Sequence, residues 1–192
     1  MICEYLKKET NHYHTEAEKN MGAVRIFDNN YNREEYIRLL NVLFISHYAT
    51  EYQLSKAELP DFIIGDHYTN KHDLIKNDLI KMSSFQNLKV PEFKIDNNLE
   101  AIGVLYVLKG SEMGANIIYK QLQKTFSDED EISLEFYSFG SDVFGKWRDF
   151  CQCIDALVLS MTENTDLEIA KQKILGGAVK AYLHFINCSQ VK

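Results

Sequence analysis

The sequence predicts an all-α, single-domain protein, and three observations carry that expectation. Its 192 residues, 45% apolar and 26% charged, suit one globular core. Apolar residues recur at helical spacing through most of the chain, whereas strand-like alternation is hard to find. Only two prolines, Pro60 and Pro91, interrupt the chain, so long helices are permitted. With no repeat, linker or low-complexity tract, residues 1–192 read as one domain.

The elements follow in order. Residues 2–19 form a short amphipathic helix with Leu6, Tyr13 and Ala17 as its apolar punctuation. Asn32 followed by Glu35 has the pattern of a capping box, and it opens a long helix running to about Leu59 and stopping before Pro60. The expected core face of that helix is Tyr36, Leu39, Leu40, Leu43, Phe44 and Tyr48. A third helix covers Asn70 to Met82, and residues 83–97, with Pro91, form a loop. The next helix, from about Asn98 to Lys124, is nearly all apolar between Ala101 and Leu108, which makes it the central one. An acidic turn at Ser127 to Glu131 precedes a helix from Ser141 to Met161. Thr165 and Glu168 fit a second capping box, opening a final helix with Leu167, Ala170, Ile174, Ala178, Ala181, Tyr182 and Phe185 on one face.

Charge and cysteine usage exclude several classes. The net charge of −7 has the wrong sign for a general nucleic-acid binder. Cys3, Cys151, Cys153 and Cys188 contain no C-x-x-C pair and read as reduced thiols. The first residues, with Glu4, Lys7, Lys8 and Glu9 among them, lack the apolar stretch of a secretory signal, and no segment reaches the roughly 20 apolar residues of a membrane span. The expectation is a cytoplasmic protein without nucleic-acid or membrane partners.

Two constellations ask for a chemical reason. The first is Lys109-Gly-Ser-Glu-Met-Gly-Ala-Asn116 inside the central helix. Each helix-interior glycine costs roughly 1 kcal/mol relative to alanine. Gly110 and Gly114 share a face, and Ser111 and Ala115 widen it into a strip of nearly bare backbone, fit for a flat ligand or for another helix. The second is in the first helix, where Lys7, His14 and Glu18 share a face. An imidazole with a carboxylate one turn away is how a metal-binding histidine is commonly oriented, although the same pair also suits an ordinary surface histidine. His12 points elsewhere.

Together the pieces resemble the heme oxygenase family. Leu6 to Glu18 is similar to that family's proximal helix, with a Lys, a His seven residues later and Thr15, Ala17 and Glu18 following. Leu105 to Ala115 looks like the glycine-rich distal helix of the bacterial branch. Tyr48 falls where the family has a distal-pocket tyrosine, and Phe139-Gly140 followed by Trp147, Arg148 and Phe150 looks like the helix bordering the heme. The resemblance implies a heme oxygenase-like fold, with heme between a proximal N-terminal helix and a glycine-kinked distal helix. It implies cleavage of the porphyrin with O2 and external electrons to biliverdin, CO and ferrous iron, heme being both substrate and cofactor. His14 is then the metal ligand. Lys7, Glu18, Ala115 and Arg148 belong to heme binding, and Gly110, Ser111, Gly114 and Tyr48 to the distal, catalytic side. Ser111 stands where mammalian members have Asp, so its hydroxyl can anchor a water but carries no charge.

No Rossmann fingerprint or flavin motif is present, so the implied electron donor is external, a ferredoxin, a flavodoxin or a reductase. Lys7, Lys8, Lys19, Lys146 and Arg148 are the cations nearest the two heme-contacting segments and would meet an acidic donor. The rival readings are a heme carrier or sensor that does not degrade its ligand, a thiaminase-like hydrolase with a reactive cysteine, and a di-iron enzyme drawing on Glu51, Glu112 and His184.

Overall fold

The computed structural model describes residues 1–60, 63, 70–138, 142–160 and 164–191, without the side chains of residues 164 and 165. Seven α-helices are found among the described residues, and no strand. Helix α1 (Ile2–Met21) buries Leu6, Thr10 and Ala17 and stops at Gly22, whose φ of 81° turns its N–H back onto the carbonyls of Glu18 and Lys19. A 3-10 turn (Ala23–Phe27) leads to α2 (Arg33–Leu54). The capping box at its start is formed: Glu35 N donates to Asn32 Oδ1 at 3.1 Å and Asn32 N to Glu35 Oε2 at 3.2 Å.

Helix α2 ends at Leu54 rather than near Leu59. Beyond it the amides of Lys56 and Ala57 donate to the carbonyls of Gln53 and Leu54, and this tighter turn closes the helix before Pro60 is reached. Helix α3 (Lys71–Lys81) comes next, followed by an irregular stretch up to α4 (Asn98–Gly110). The expected continuous helix from Asn98 to Lys124 is broken: Ser111–Gly114 is a 3-10 segment, and α5 (Ala115–Thr125) resumes after it. Ser111 Oγ donates to Leu108 O at 2.7 Å, a local bond that competes with the regular ladder where two glycines already weaken it.

A 3-10 turn (Glu135–Tyr137) precedes α6 (Val143–Leu159), and α7 (Asn164–Cys188) closes the chain. The expected bounds Ser141 and Met161, the pair Phe139-Gly140 and the Thr165 side chain of the second capping box lie outside the description.

Helix α4 is central, buried from Ala101 through Lys109, and packs chiefly on α7. That contact is backbone to backbone. A Cβ on Gly103 would sit 1.9 Å from Ile174 O, and one on Gly177 2.0 Å from Glu100 O. Helix α1 lies against α7 and α6, and α2 against α3 and α7. Among the described residues no helix is long and apolar enough to cross a membrane.

Candidate functional site

A cavity of about 390 Å³ opens where α1, α2, the break after α4, the Glu135–Tyr137 turn and α7 converge. From α1 come His14 and Glu18, with Nδ1 of His14 turned toward Glu18 Oε2 at 3.6 Å. The His14 side chain is half-exposed, and its ring edge meets Tyr182 of α7 at a centroid distance of 5.8 Å. No described residue bonds its Nε2, which leaves that nitrogen for a ligand.

Gly110, Ser111 and Gly114 contribute another wall. An added Cβ on Gly114 would meet nothing within 4 Å, and one on Gly110 only the Trp147 ring at 3.6 Å. Helix packing therefore does not explain this pair, whereas it does explain Gly103 and Gly177. Most of the remaining lining is apolar or aromatic, including Leu39, Leu43, Val107, Ile118 and Phe185. Burial pushes the Tyr182 phenol up to about 12 and the Tyr137 phenol higher still, so both stay protonated.

The walls are fixed by buried charges. Asp78 of α3, with no exposed surface, accepts from Ser133 Oγ at 2.5 Å and from the amides of Glu135 and Phe136 at 2.9 Å each. It thereby seats the turn that brings Phe136 and Tyr137 to the cavity. Lys71, 2% exposed, reaches from α3 to the broken helix: Nζ bonds Leu108 O, lies 3.3 Å from Ser111 Oγ and pairs with Glu112 Oε1 at 3.0 Å. Burial lowers its pKa, against the pull of Glu112.

Below α3 lies Glu51 of α2, 3% exposed, whose two oxygens serve two histidines. Oε1 is 3.2 Å from His47 Nδ1 and accepts from Lys71 N at 3.0 Å, while Oε2 bonds His72 Nδ1 and accepts from His72 N at 3.3 Å. Burial alone would raise the Glu51 pKa, but the hydrogen bonds of His47 and His72 outweigh it and hold it at about 2.

Of the residues expected from sequence, His14, Glu18, Gly110, Ser111 and Gly114 line the cavity together. Two do not. Tyr48 is 44% exposed and leans on Phe44 and His72, because one step along a helix turns a side chain by about 100°. Its neighbour His47, 1% exposed, faces the cavity instead. Ala115 opens α5 and is 1% exposed with its methyl in the core rather than at the cavity. Lys7 and Arg148 are exposed and outside the lining, Arg148 lying 3.8 Å from Asp149 Oδ1.

The sequence reading missed His47, although it continues the buried stripe Tyr36, Leu40, Leu43 at spacings of four and three. Lys71 and His72 gave no such signal, since only the fold brings them to α2 and α4. The di-iron candidates are scattered: Glu51 holds its histidines, Glu112 pairs with Lys71, and His184 packs on Phe93 at 4.8 Å. No metal-holding cluster occurs among the described residues. None of the four cysteines lines the cavity; the hydrogen bond with Cys151 and then burial push the Cys3 thiol up, burial pushes up that of Cys188, and both stay protonated.

The heme oxygenase family model matches residues 1–190. Two solved structures are similar in fold. The NO- and CO-bound heme oxygenase from Neisseria meningitidis has a TM-score of 0.72 at 22% identity, covering 99% of this chain and 90% of that one. The heme oxygenase of the cyanobacterium Synechocystis in complex with heme has a TM-score of 0.70 at 16% identity, covering 98% and 90%. No curated protein sequence matches.

Proposed function

The chain belongs to the heme oxygenase family, whose members degrade heme to biliverdin, and on that premise we propose that His14 is the residue that holds the heme iron. The observation that carries the reading is one apolar cavity lined both by an imidazole with an unbonded Nε2 and by a wall where Gly114 leaves the backbone bare. These residues fit the group: a nitrogen ligand, aromatic sides, and space on the glycine wall for a small molecule beside the metal. Heme bound there supplies the ring that is cleaved and the iron that activates dioxygen. Dioxygen and electrons from an external donor of ferredoxin, flavodoxin or reductase type complete the requirement.

The protein's own part is to orient and to exclude. Glu18, 3.6 Å from Nδ1, orients the His14 ring. Phe136, Tyr137 and Phe185 keep the cavity apolar. Lys71 holds the distal segment through Leu108, Ser111 and Glu112. Lys7 and Arg148, exposed on α1 and α6 and outside the cavity lining, are the cations this reading assigns to the heme propionates, worth little each because they are wet. The reading takes residues 1–192 as one domain working in the cytoplasm.

Substitution of His14 by alanine tests the assignment. The His14→Ala protein is expected to fold, lose the histidine-ligated spectrum with added hemin and lose turnover, while His12→Ala keeps both. Loss of ligation in His12→Ala with retention in His14→Ala overturns it.

A further inference from the structure

Reductive use of dioxygen consumes protons, and a mostly apolar cavity has few groups able to handle them. The titratable residues among its described lining are His14, Glu18, His47, Tyr137 and Tyr182. His14 and Glu18 are committed to the iron side, and burial keeps both phenols protonated. His47 is left. Its ring is wedged edge-on between Phe136 and Phe185, at centroid distances of 5.8 and 5.4 Å, so it has one orientation. Nδ1 is committed to Glu51, and no described residue bonds Nε2.

We propose that His47 is the proton-handling residue of this cavity, that Glu51 is the positioning residue fixing its Nδ1–H tautomer, and that His72 connects Glu51 to solvent. The inference rests on the heme reading of the cavity. A carboxylate accepting from Nδ1–H makes Nε2 the acceptor, ready for a water molecule on the cavity side. When Nε2 takes a proton from a protonated water of the cavity chain, that water is left neutral and the ring becomes an imidazolium, balanced by the Glu51 carboxylate. When Nε2 passes the proton to a basic oxygen in the cavity, the ring returns to its neutral Nδ1–H form and one proton has been delivered.

His72 closes the line to the surface. Its Nδ1 bonds the other Glu51 oxygen, its Nε2 is 3.5 Å from Asp73 Oδ1, and its side chain is 19% exposed. Among the described residues, the charged and titratable groups that act on the pair are Glu51 on α2 and Lys71, His72, Asp73 and Lys76 on α3. From the Glu135–Tyr137 turn and α7 the rings of Phe136 and Phe185 meet His47, and the phenols of Tyr137 and Tyr182 line the same cavity; α2 presents Tyr48 to His72. Burial lowers the His47 pKa, which keeps the resting ring neutral; the hydrogen bond to Glu51 raises that of His72 against its partial burial. The outer histidine is therefore charged over a wider pH range than the inner one, and its charge helps keep Glu51 the carboxylate to which His47 Nδ1–H donates.

Nitrogen-15 NMR of the protein without heme reads the tautomer directly. A single Nδ1–H, Nε2-unprotonated form of His47 at neutral pH is expected, lost or mixed in Glu51→Gln. An Nε2–H form in the unsubstituted protein overturns the proposal, and this measurement stands whether or not the heme reading does. With heme loaded, His47→Leu is expected to lower kcat roughly 10²-fold while the His14-ligated spectrum stays unchanged. In His72→Gln the basic limb of the kcat–pH profile is expected to move. An unchanged kcat in folded His47→Leu removes the role of His47, and superimposable profiles for His72→Gln remove that of His72. Loss of the spectrum in His14→Ala tests the heme reading separately.

Discussion

His184 illustrates how a single buried side chain sets a pH limit. It is 4% exposed, packed on Phe93, with the Cys188 sulfur 3.4 Å from Nε2, and burial holds its pKa at about 4 against 6.5 in an open chain. As pH falls below 6.5 the unfolded chain binds a proton that the fold refuses until about 4, so stability drops across that window. The full drop is on the order of 3 kcal/mol at this site. Chemical denaturation of His184→Gln and of the unsubstituted protein at pH 7 and pH 4.5 is expected to show a smaller acid loss in the variant, and equal losses would remove His184 as the source. The same scale shows what a sequence can and cannot say. The pairing of His14 with Glu18 was legible because the two lie one turn apart on the same helix. His47 was legible in principle from the 36, 40, 43, 47 stripe, whereas the resemblance points one step away, to Tyr48, as the family's distal-pocket tyrosine. Lys71 was not legible at all: a lysine reads as solvated until the fold shows it 2% exposed with Glu112 beside it.

Helices meet through glycines of two kinds, and substitution separates them. Gly103 and Gly177 let α4 and α7 touch backbone to backbone, whereas Gly110 and Gly114 open the cavity. Gly103→Ala forces a methyl to within 1.9 Å of Ile174 O, with no flexible atom to yield, and is expected to cost about 3 kcal/mol or more in thermal or chemical denaturation. Gly110→Ala meets only the Trp147 ring at 3.6 Å and is expected to change stability by less than about 1 kcal/mol. Gly114→Leu extends into open space, so it is expected to fold and to fail in hemin titration or turnover; normal turnover in the folded variant would restore helix packing as the reason for that glycine. The glycine spacing announced a bare strip but not the change of helix type at Ser111–Gly114, because that depends on the Ser111 bond to Leu108 and on Lys71 arriving from another element. In the same way the end of α2 was placed late, since Pro60 sets an outer limit and the tightened turn at Lys56 and Ala57 acts first.

Across the whole molecule the balance is 28 acidic to 21 basic residues, yet Lys7, Lys8, Lys19, Lys146 and Arg148 all lie exposed on α1 and α6. An acidic electron donor steered by them is expected to reduce the protein more slowly as salt rises toward physiological strength, where screening acts over about 8 Å. Lys146→Glu is expected to slow donor-driven turnover more than ascorbate-driven turnover, and a salt-independent rate with equal effects in both assays would remove the patch. The all-α class and the central place of α4 were legible because periodicity and the run from Ala101 to Leu108 are properties of continuous segments. The composition of the cavity was not, because its walls come from segments far apart in the chain.

That separation has a consequence in time. Helix α1, which carries His14, packs on α7, and Gln172 Nε2 donates to Tyr5 Oη at 3.2 Å between residues 167 positions apart. Tyr182 and Phe185, which close the cavity beside His14 and His47, belong to α7 too. On the ribosome, His14 therefore emerges with its local partner Glu18 well before the α7 ring of Tyr182 that packs beside it. The cavity is therefore complete only once α7 has docked on α1 and α4, so its shape is a product of long-range contacts and not of any one segment.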